Sequence, residues 1–491
     1  MRLNSDRVSG STPAVATFAL VAAFVFVPTL LIRTGAALSG FGGPLIDVDI
    51  LGCGILVALG YRRVGALGVG IAIVLRLISS VGAIFHFTAG DALTALLWDF
   101  RRLSGLATYG KVALAIAGAV ALAMGAHRVG RHVGRSSHGA LVLAGILLMA
   151  AIADVAKGSN VFSRPDDVQR RVNVAGSGLL RLWRFTQISA EMAEQDRELR
   201  RTGTDVAIRA SFSPDSIRGN AQRPNMVIVL VESWGLLSAP AAADAFTVPF
   251  LSTAMRERYK VRVGSVPFAG ATTAAEFREL CGRYGNHYSA LHTSASACLP
   301  AMMRNIGYQT TAMHGFTGAM FERRDWYARF GFESRIFREQ LPGVPQCGRV
   351  FIGACDSSMV ALLRTRLLTA TSPQFIYWVT LDSHLPLDPK LARAAGRCPA
   401  ALARLTASDC AHAAIILRTL QAVAALAEDP ELRATRFVLV GDHPPPFLLE
   451  SDRAAYSTSQ VPYVVLEPRA APADDLLPVG EVRTILARAT P

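Results

Sequence analysis

Lysine is nearly missing from this 491-residue chain; it occurs only as Lys111, Lys157, Lys260 and Lys390. The formal net charge of +13 is therefore carried almost wholly by arginine. Basic runs interleaved with aromatics are missing too, and no nucleic-acid-binding module is recognisable, so nucleic acid is excluded as a partner. So strong a preference for arginine follows first from genome composition, and second from a basic face turned toward anionic lipid. Internal repeats and extended low-complexity tracts do not occur. Cysteine is scarce over the first half of the chain, where Cys53 stands alone in an apolar stretch. The other six, Cys281, Cys298, Cys347, Cys355, Cys398 and Cys410, fall in the C-terminal part. An even number at short spacings predicts disulfides and an oxidising compartment. The nearest-neighbour pairing among the possible connectivities is Cys281–Cys298, Cys347–Cys355 and Cys398–Cys410.

Apolar residues are plentiful. The chain is 51% hydrophobic with a mean hydropathy of +0.33, and the excess sits in its first third. Five apolar segments stand near 14–32, 45–61, 65–87, 110–126 and 139–156, each close to the roughly 20 residues that cross a hydrocarbon core. Arginines flank them unevenly. Arg2 and Arg7 precede the first, Arg62 and Arg63 separate the second and third, and Arg128, Arg131 and Arg135 separate the fourth and fifth. The positive-inside rule puts these loops in the cytoplasm. Five crossings then leave the C-terminal part outside, in agreement with its cysteines. Arg76 falls near the middle of the third segment, where a charge is costly and is read first as functional. Its partner would be a lipid phosphate, Asp47 or Asp49; snorkelling is the plain alternative. We expect a membrane domain over 1–156 and a connector at the membrane surface over 157–222. The connector has helical composition near 165–183 and 186–201. An extracytoplasmic catalytic domain follows over 223–491.

From residue 225 the pattern changes to short β-branched runs separated by helical stretches. Candidate strands are Met226–Val231, Tyr259–Val263, Tyr308–Met313, Phe375–Leu381, Phe437–Val440 and Pro462–Leu466. Continuous apolar runs of this length suit strands buried on both faces, so an α/β domain with a mostly parallel central sheet is expected. Several runs end in polar residues. MVIVLV is followed by Glu232, TTAM by His314, FIYWVTL by Asp382 and His384, and FVLV by Gly441, Asp442 and His443. Ligands of open α/β sheets bind beyond the carboxyl ends of the strands. Four strands delivering carboxylates and imidazoles to one edge therefore predict a site.

Glu232, Asp442 and His443 make an oxygen–nitrogen donor set for Mn²⁺, Mg²⁺ or Zn²⁺, with positions left open for chemistry. A hydroxyl nucleophile can fill one, since a divalent cation lowers its pKa. The glycine-led segment PFAGATTAAEF offers Thr272 or Thr273. His314, His384 and Arg324 would bind phosphoryl oxygens and handle protons. Glu276 either caps a helix after this loop or touches the site. Asp382 either orients a histidine or sits in a turn.

These motifs, in this order, resemble the alkaline phosphatase and sulfatase superfamily. Within it they resemble the lipoteichoic acid synthase family of phosphoglycerol transferases, whose five membrane helices, helical connector and extracellular catalytic domain parallel the layout above. NMVIVLVESWG carries over Glu232 as a metal ligand, and GATTAAEF carries over Thr272 as the nucleophile and a metal ligand. MHGFTGAMFERRDWYARFGF carries over His314 and Arg324, TLDSHLPL carries over His384, and VGDH carries over Asp442 and His443. The resemblance implies one divalent metal ion, manganese first and magnesium or zinc next. It also implies a phospholipid donor, phosphatidylglycerol or phosphatidylethanolamine, and a glycan or lipid acceptor. The chain departs from the family in having Glu322 where an aromatic residue stands two positions before the substrate arginine. Its six cysteines are shared instead with lipid A phosphoethanolamine transferases, and TLDSH with phosphoglycerol transferases of periplasmic glucans. A Gram-negative inner-membrane enzyme that modifies the envelope is therefore expected. The nearest string to a sulfatase C-x-P-x-R signature, Cys298-Leu-Pro-Ala-Met, lacks the arginine.

Overall fold

The computed structural model describes residues 12–31, 34, 44–84, 106–156, 174–180 and 223–469, the last stretch without 269, 284, 286, 288, 289, 291–297, 397, 448 and 449. The chain divides into two compact units, Met1–Thr202 with Pro445–Ala455 and Gly203–Pro444 with Tyr456–Pro491.

In the first unit helices form at all five apolar segments. Helix α1 (Pro13–Val21) opens on a proline and continues through a π-helical turn at Ala22–Phe26. It is followed by α2 (Val48–Ala58), α3 (Arg62–Ile84), α4 (Leu106–Val133) and α5 (Ser137–Ala156). Helix α4 takes in Arg128 and Arg131, which the sequence pattern assigned to a loop. Arginine is a good helix former and suits the negative end of the helix dipole. By length and composition three described helices could cross a membrane: Pro13–Leu31, Ser137–Asp154 and Ala407–Ala427. The third belongs to the second unit, where 61% of its apolar window is buried, so its apolarity serves a core. The first unit is apolar outside as well as inside. Phe18, Leu30, Leu67, Leu141 and Leu148 are exposed, while Leu20, Phe24, Leu51, Val57 and Leu143 pack together. Apolar residues on every side mark a helix that does not face water. A Cβ at Gly68 would lie 2.6 Å from the Cys53 sulfur, so glycine there lets α2 and α3 approach closely.

Arg76 takes one of its expected partners. Its Nε and Nη2 donate to Asp47 Oδ2 at 2.8 and 2.6 Å, and Nη2 also reaches the Gly176 carbonyl at 3.3 Å. Asp47 Oδ1 caps α2 by accepting from the amides of Asp49 and Ile50. Strand β1 (Ile46–Asp47) pairs in parallel with β2 (Ala175–Gly176). Residues 174–176 were expected to be helical. They are extended, paired with β1, and Asp154 holds the segment by accepting the amides of Val174 and Ala175. Asp49 holds the same segment through the Ser177 hydroxyl and the Leu179 amide. The remainder of the connector, including the helix expected at 186–201, lies outside the described residues.

The second unit is built on a seven-stranded sheet. In chain order its strands are β3 (Asn225–Val231), β4 (Tyr259–Pro267), β5 (Gln309–His314), β6 (Ser334–Ile336), β9 (Gln374–Val379), β10 (Thr435–Gly441) and β11 (Gln460–Pro468). Across the sheet the order is β4-β11-β10-β3-β9-β5-β6. From β10 to β6 every pairing is parallel; β11 runs antiparallel to both β10 and β4. All seven residues of β3 and all six of β9 are buried, as strands covered on both faces require. The helices used below are α6 (Thr272–Cys281), α7 (Leu299–Asn305), α8 (Arg323–Phe330), α9 (Asp356–Thr369) and α10 (Ala407–Ala427). A small hairpin, β7 (Gln346–Cys347) with β8 (Gly353–Ala354), precedes α9. The disulfides are Cys281–Cys298, Cys347–Cys355 and Cys398–Cys410, the nearest-neighbour pairing, and Cys53 is a free thiol.

Because Asp47 is buried and Arg76 nearly so, removing one partner strands the other charge at a cost of about 3 kcal/mol. Arg76→Met and Asp47→Asn should each lower the thermal midpoint of the detergent-solubilised protein. The double variant should fall well short of the sum; additive losses would show that the two side chains do not act as a pair.

Candidate active site and metal centre

Glu232 follows β3 directly, and Asp442 and His443 follow β10, its parallel neighbour. The pairing brings the three side chains to one edge, where their ligand atoms lie within 4.8 Å of one another. The intervening backbone is shaped for this. Ser233 has φ +56°, a left-handed conformation that a non-glycine residue adopts at a cost and that clusters at functional sites. In that conformation the Ser233 amide donates to Asp442 Oδ1 at 2.7 Å, and its hydroxyl donates to Glu232 Oε1 at 2.8 Å. A Cβ at Gly441 would run into the Trp234 carbonyl, so the residue before Asp442 has to be glycine. The loop after β9 completes the cradle: Thr380 Oγ1 accepts the Glu232 amide at 2.9 Å, and the Ser383 hydroxyl donates to the Glu232 carbonyl at 2.6 Å.

Thr272 is the first residue of α6. Its Oγ1 is 3.4 Å from Glu232 Oε2 and 3.4 Å from His443 Nε2. His443 Nδ1 donates to the Pro444 carbonyl at 3.0 Å, which leaves a lone pair on Nε2. That lone pair faces Asp442 Oδ2 at 3.3 Å and Glu232 Oε1 at 3.9 Å. Asp442 Oδ2 is buried without a hydrogen-bond donor, although Oδ1 of the same carboxylate receives two amides. Electron-rich atoms thus converge around the Thr272 hydroxyl, an arrangement that a bound cation satisfies. The residues fit a divalent metal ion.

The charges agree. Burial pushes the Asp442 carboxyl up to about 7, and the neighbouring Glu232 adds to the shift. Burial pulls His443 down, but the carboxylates of Asp442 and Glu232 outweigh it and raise its pKa. Without a metal the cluster therefore holds a proton that a cation must displace.

The structure places the other expected residues unequally. His314 ends β5, buried, with Nδ1 donating to the Val379 carbonyl at 3.0 Å. Its pKa is pulled down to about 3, first by burial and then by the Arg323 charge. A neutral imidazole with Nδ1 engaged offers an acceptor at Nε2, so His314 suits a hydroxyl or ammonium group rather than a phosphoryl oxygen. His384 Nδ1 donates to the Leu385 carbonyl at 2.7 Å, and its ring lies against Phe351 with centroids 3.9 Å apart. Arg324 is exposed and paired with Glu339 at 3.3 Å. Helix register decides this. Trp326, Tyr327 and Phe330 form the buried face of α8, and the residue sharing that face is Arg323. Phe321 stands two positions before Arg323, as Glu322 does before Arg324. Glu276 is no cap; it is buried in the second turn of α6 against Arg323 and Tyr327. Asp382 caps α9 by accepting the Asp356 amide at 3.1 Å. Thr273 is buried. Thr380, Ser233 and Ser383 were missed, because a hydroxyl that tunes a neighbour's backbone leaves no motif.

Asp442 must lose its proton to bind a cation, so metal affinity should strengthen as pH rises from 6 to 8 and level off above. Titration calorimetry of the metal-depleted protein in two buffers of different ionisation enthalpy would reveal proton release. Asp442→Asn should weaken the pH dependence and remove most of the affinity; retained affinity in that variant would remove Asp442 from the site.

The family model described as Sulfatase matches residues 224–484, more than half of the chain. A protein of Rhizobium meliloti (strain 1021) described as a candidate cyclic beta-1,2-glucan modification protein is 26% identical over 237 residues. That match takes in 46% of this chain and 36% of the relative, so the chain spans about a third of the length of the curated relative it matches. Among solved structures, the lipoteichoic acid synthase LtaP of Listeria monocytogenes aligns over 53% of this chain and 72% of its own, at 15% identity and a TM-score of 0.39. The Streptococcus pyogenes phosphoglycerol transferase GacH, solved with sn-glycerol-1-phosphate, aligns over 57% and 74%, at 13% identity and a TM-score of 0.35. On the extent of the family match, this chain belongs to the sulfatase family.

Proposed function

We propose that the protein transfers a phosphoglycerol or phosphoethanolamine head group from a membrane phospholipid to a hydroxyl of an envelope glycan or lipid, through a covalent intermediate on Thr272. The observation that carries this reading is the Thr272 hydroxyl, set at a helix N-terminus 3.4 Å from both Glu232 and His443. A helix N-terminus favours an anionic group, whether a threonine alkoxide or a phosphodiester. In this reading the five apolar helices span a bacterial inner membrane and hold the catalytic domain outside the cytoplasm, where its disulfides form. The relative described as a candidate cyclic beta-1,2-glucan modification protein supports a glycan acceptor.

Glu232, Thr272, Asp442 and His443 would hold the metal, manganese first and magnesium or zinc next. Bound there, the ion would lower the pKa of the Thr272 hydroxyl and offset charge on the phosphoryl oxygens. Thr272 Oγ1 forms a bond to phosphorus as the bond from phosphorus to the diacylglycerol oxygen breaks. The proton lost by Thr272 balances the one that diacylglycerol gains. With Nδ1 engaged on Leu385, His384 relays protons at Nε2, first from the Thr272 hydroxyl to the departing diacylglycerol oxygen and then from the acceptor hydroxyl back to Thr272. The acceptor oxygen then attacks phosphorus, and Thr272 leaves with its proton restored. We assign the phosphoryl oxygens to Arg323, which lies on the buried face of α8, ahead of the exposed Arg324, and neutral His314 would accept a hydrogen bond from the head group's hydroxyl or ammonium.

Sulfate-ester hydrolysis by a formylglycine is opposed by the site's own residues: threonine stands at the nucleophile position, and Cys298 is bonded to Cys281. Mass spectrometry of the protein incubated with labelled phosphatidylglycerol or phosphatidylethanolamine should find one head-group phosphate on Thr272, and the mass names the donor. Thr272→Ala should lose the adduct and all turnover, about 10³-fold or more, while Thr273→Ala keeps both. The reverse outcome would move the nucleophile to Thr273. Head group released to water in the presence of acceptor would make the protein a phosphodiesterase.

A further inference from the structure

Helix α6 begins with Thr272, and one turn later on the same side carries Glu276. Glu276 Oε1 accepts from Arg323 Nε at 3.0 Å and from the Tyr327 hydroxyl at 2.6 Å. Arg323 and Tyr327 are themselves four residues apart, one turn of α8. Two pairs at helical spacing thus interlock, one bearing the hydroxyl and the other the guanidinium. All three side chains are buried, Glu276 and Tyr327 completely. The second oxygen, Glu276 Oε2, is buried with no hydrogen-bond donor.

Stability alone does not account for such a contact. An ion pair removed from water gains little over well-packed apolar residues of the same volume, and an unmet carboxylate oxygen makes it costlier still. Aromatic packing already joins the two helices here: Phe277 of α6 meets Trp326 and Phe330 of α8 at centroid distances of 5.8 and 5.3 Å. What the carboxylate adds is direction. It fixes the Nε edge of the guanidinium and so sets where the other nitrogens point. A second buried arginine holds α6 to the metal strand: Arg278 Nη2 donates to the Gly441 carbonyl at 2.8 Å, one residue before Asp442.

We propose that Glu276 is a positioning residue, which locks Arg323 to the nucleophile's helix so that guanidinium and Thr272 hydroxyl keep one spacing. The proposal rests on the transferase reading above, in which Arg323 contacts the phosphoryl group. Glu276 touches no substrate and acts through Arg323.

The test uses the full-length protein and the rate at which Thr272 acquires the head group. Glu276→Gln keeps the shape and should slow loading about tenfold or more, since a misplacement of an ångström is costly to reaction geometry. Metal content should stay that of the wild type. Inorganic phosphate, which needs the charge of Arg323 but not its aim, should inhibit the variant no less strongly than the wild type; a collapsed site would bind it worse. In an Arg323→Lys background the Glu276→Gln step should have little further effect. Tyr327→Phe, which removes one bond to the same oxygen, should slow loading less than Glu276→Gln and supplies the comparison if that variant folds poorly. Wild-type loading in both variants, or losses that add across the cycle, would overturn the proposal. A wild-type protein that never loads Thr272 would overturn the transferase reading instead.

Discussion

Within the second unit, Glu232, Asp442, His443 and Thr272 point oxygen and nitrogen atoms at one another in a space nearly closed to water. Such a cluster is unfavourable unless a proton or a cation sits inside it. The surrounding backbone is arranged to hold this repulsion rather than relieve it. Ser233 accepts a left-handed conformation, Gly441 gives up its side chain, and hydroxyls of Thr380 and Ser383 grip the backbone of Glu232. Each of these costs some stability or freedom. They make sense together because a preformed donor set binds a cation without having to reorganise.

The parallel sheet is what makes the convergence possible. Strands β10, β3, β9 and β5 are successive neighbours running the same way. Their carboxyl ends therefore form one continuous edge, and residues distant in sequence meet there. The antiparallel strands β11 and β4 lie beyond β10. Their contribution is to extend the sheet, while Arg278 ties α6 back to the Pro267 carbonyl at the end of β4 and to Gly441 at the end of β10. The position of the Thr272 hydroxyl thus depends on both halves of the sheet.

Much of this was legible in the sequence because it rests on period and on strand ends. The buried strands appear as unbroken apolar runs, and Glu232, His314, Asp442 and His443 each stand where a run stops. The disulfides were legible from spacing. What escaped is what depends on rotation about a helix axis. Arg323 and Arg324 are equivalent in a motif, yet about 100° of helical turn puts one in the core and the other in solvent. The buried face of α8, marked by Trp326, Tyr327 and Phe330, was present in the sequence and tells the two arginines apart by burial. The extended backbone at 174–176 could not have been read from local composition, because it is imposed by Asp154 and Arg76 from elsewhere in the chain. Antiparallel β11 escaped for a similar reason, since a strand buried on both faces shows no sign of its direction.

The way buried carboxylates are satisfied separates structural roles from functional ones. Asp47 has both oxygens occupied, one by two amides and the other by Arg76. Asp356 likewise accepts the amides of Leu381 and Asp382 and the Thr419 hydroxyl. These residues stabilise the fold, and nothing about them is left over. Asp442 has one oxygen saturated and the other bare, and Glu276 repeats the pattern one layer away. In each case the saturated oxygen fixes the carboxylate's orientation. For Asp442 the bare oxygen is then aimed at a position where a cation would bind. For Glu276 no such position is at hand, and the fixed oxygen is itself the useful one, because it determines where the Arg323 guanidinium lies. Half-satisfied carboxylates in a dry interior are expensive, and this chain keeps one beside the metal ligands and the other one helical turn after Thr272.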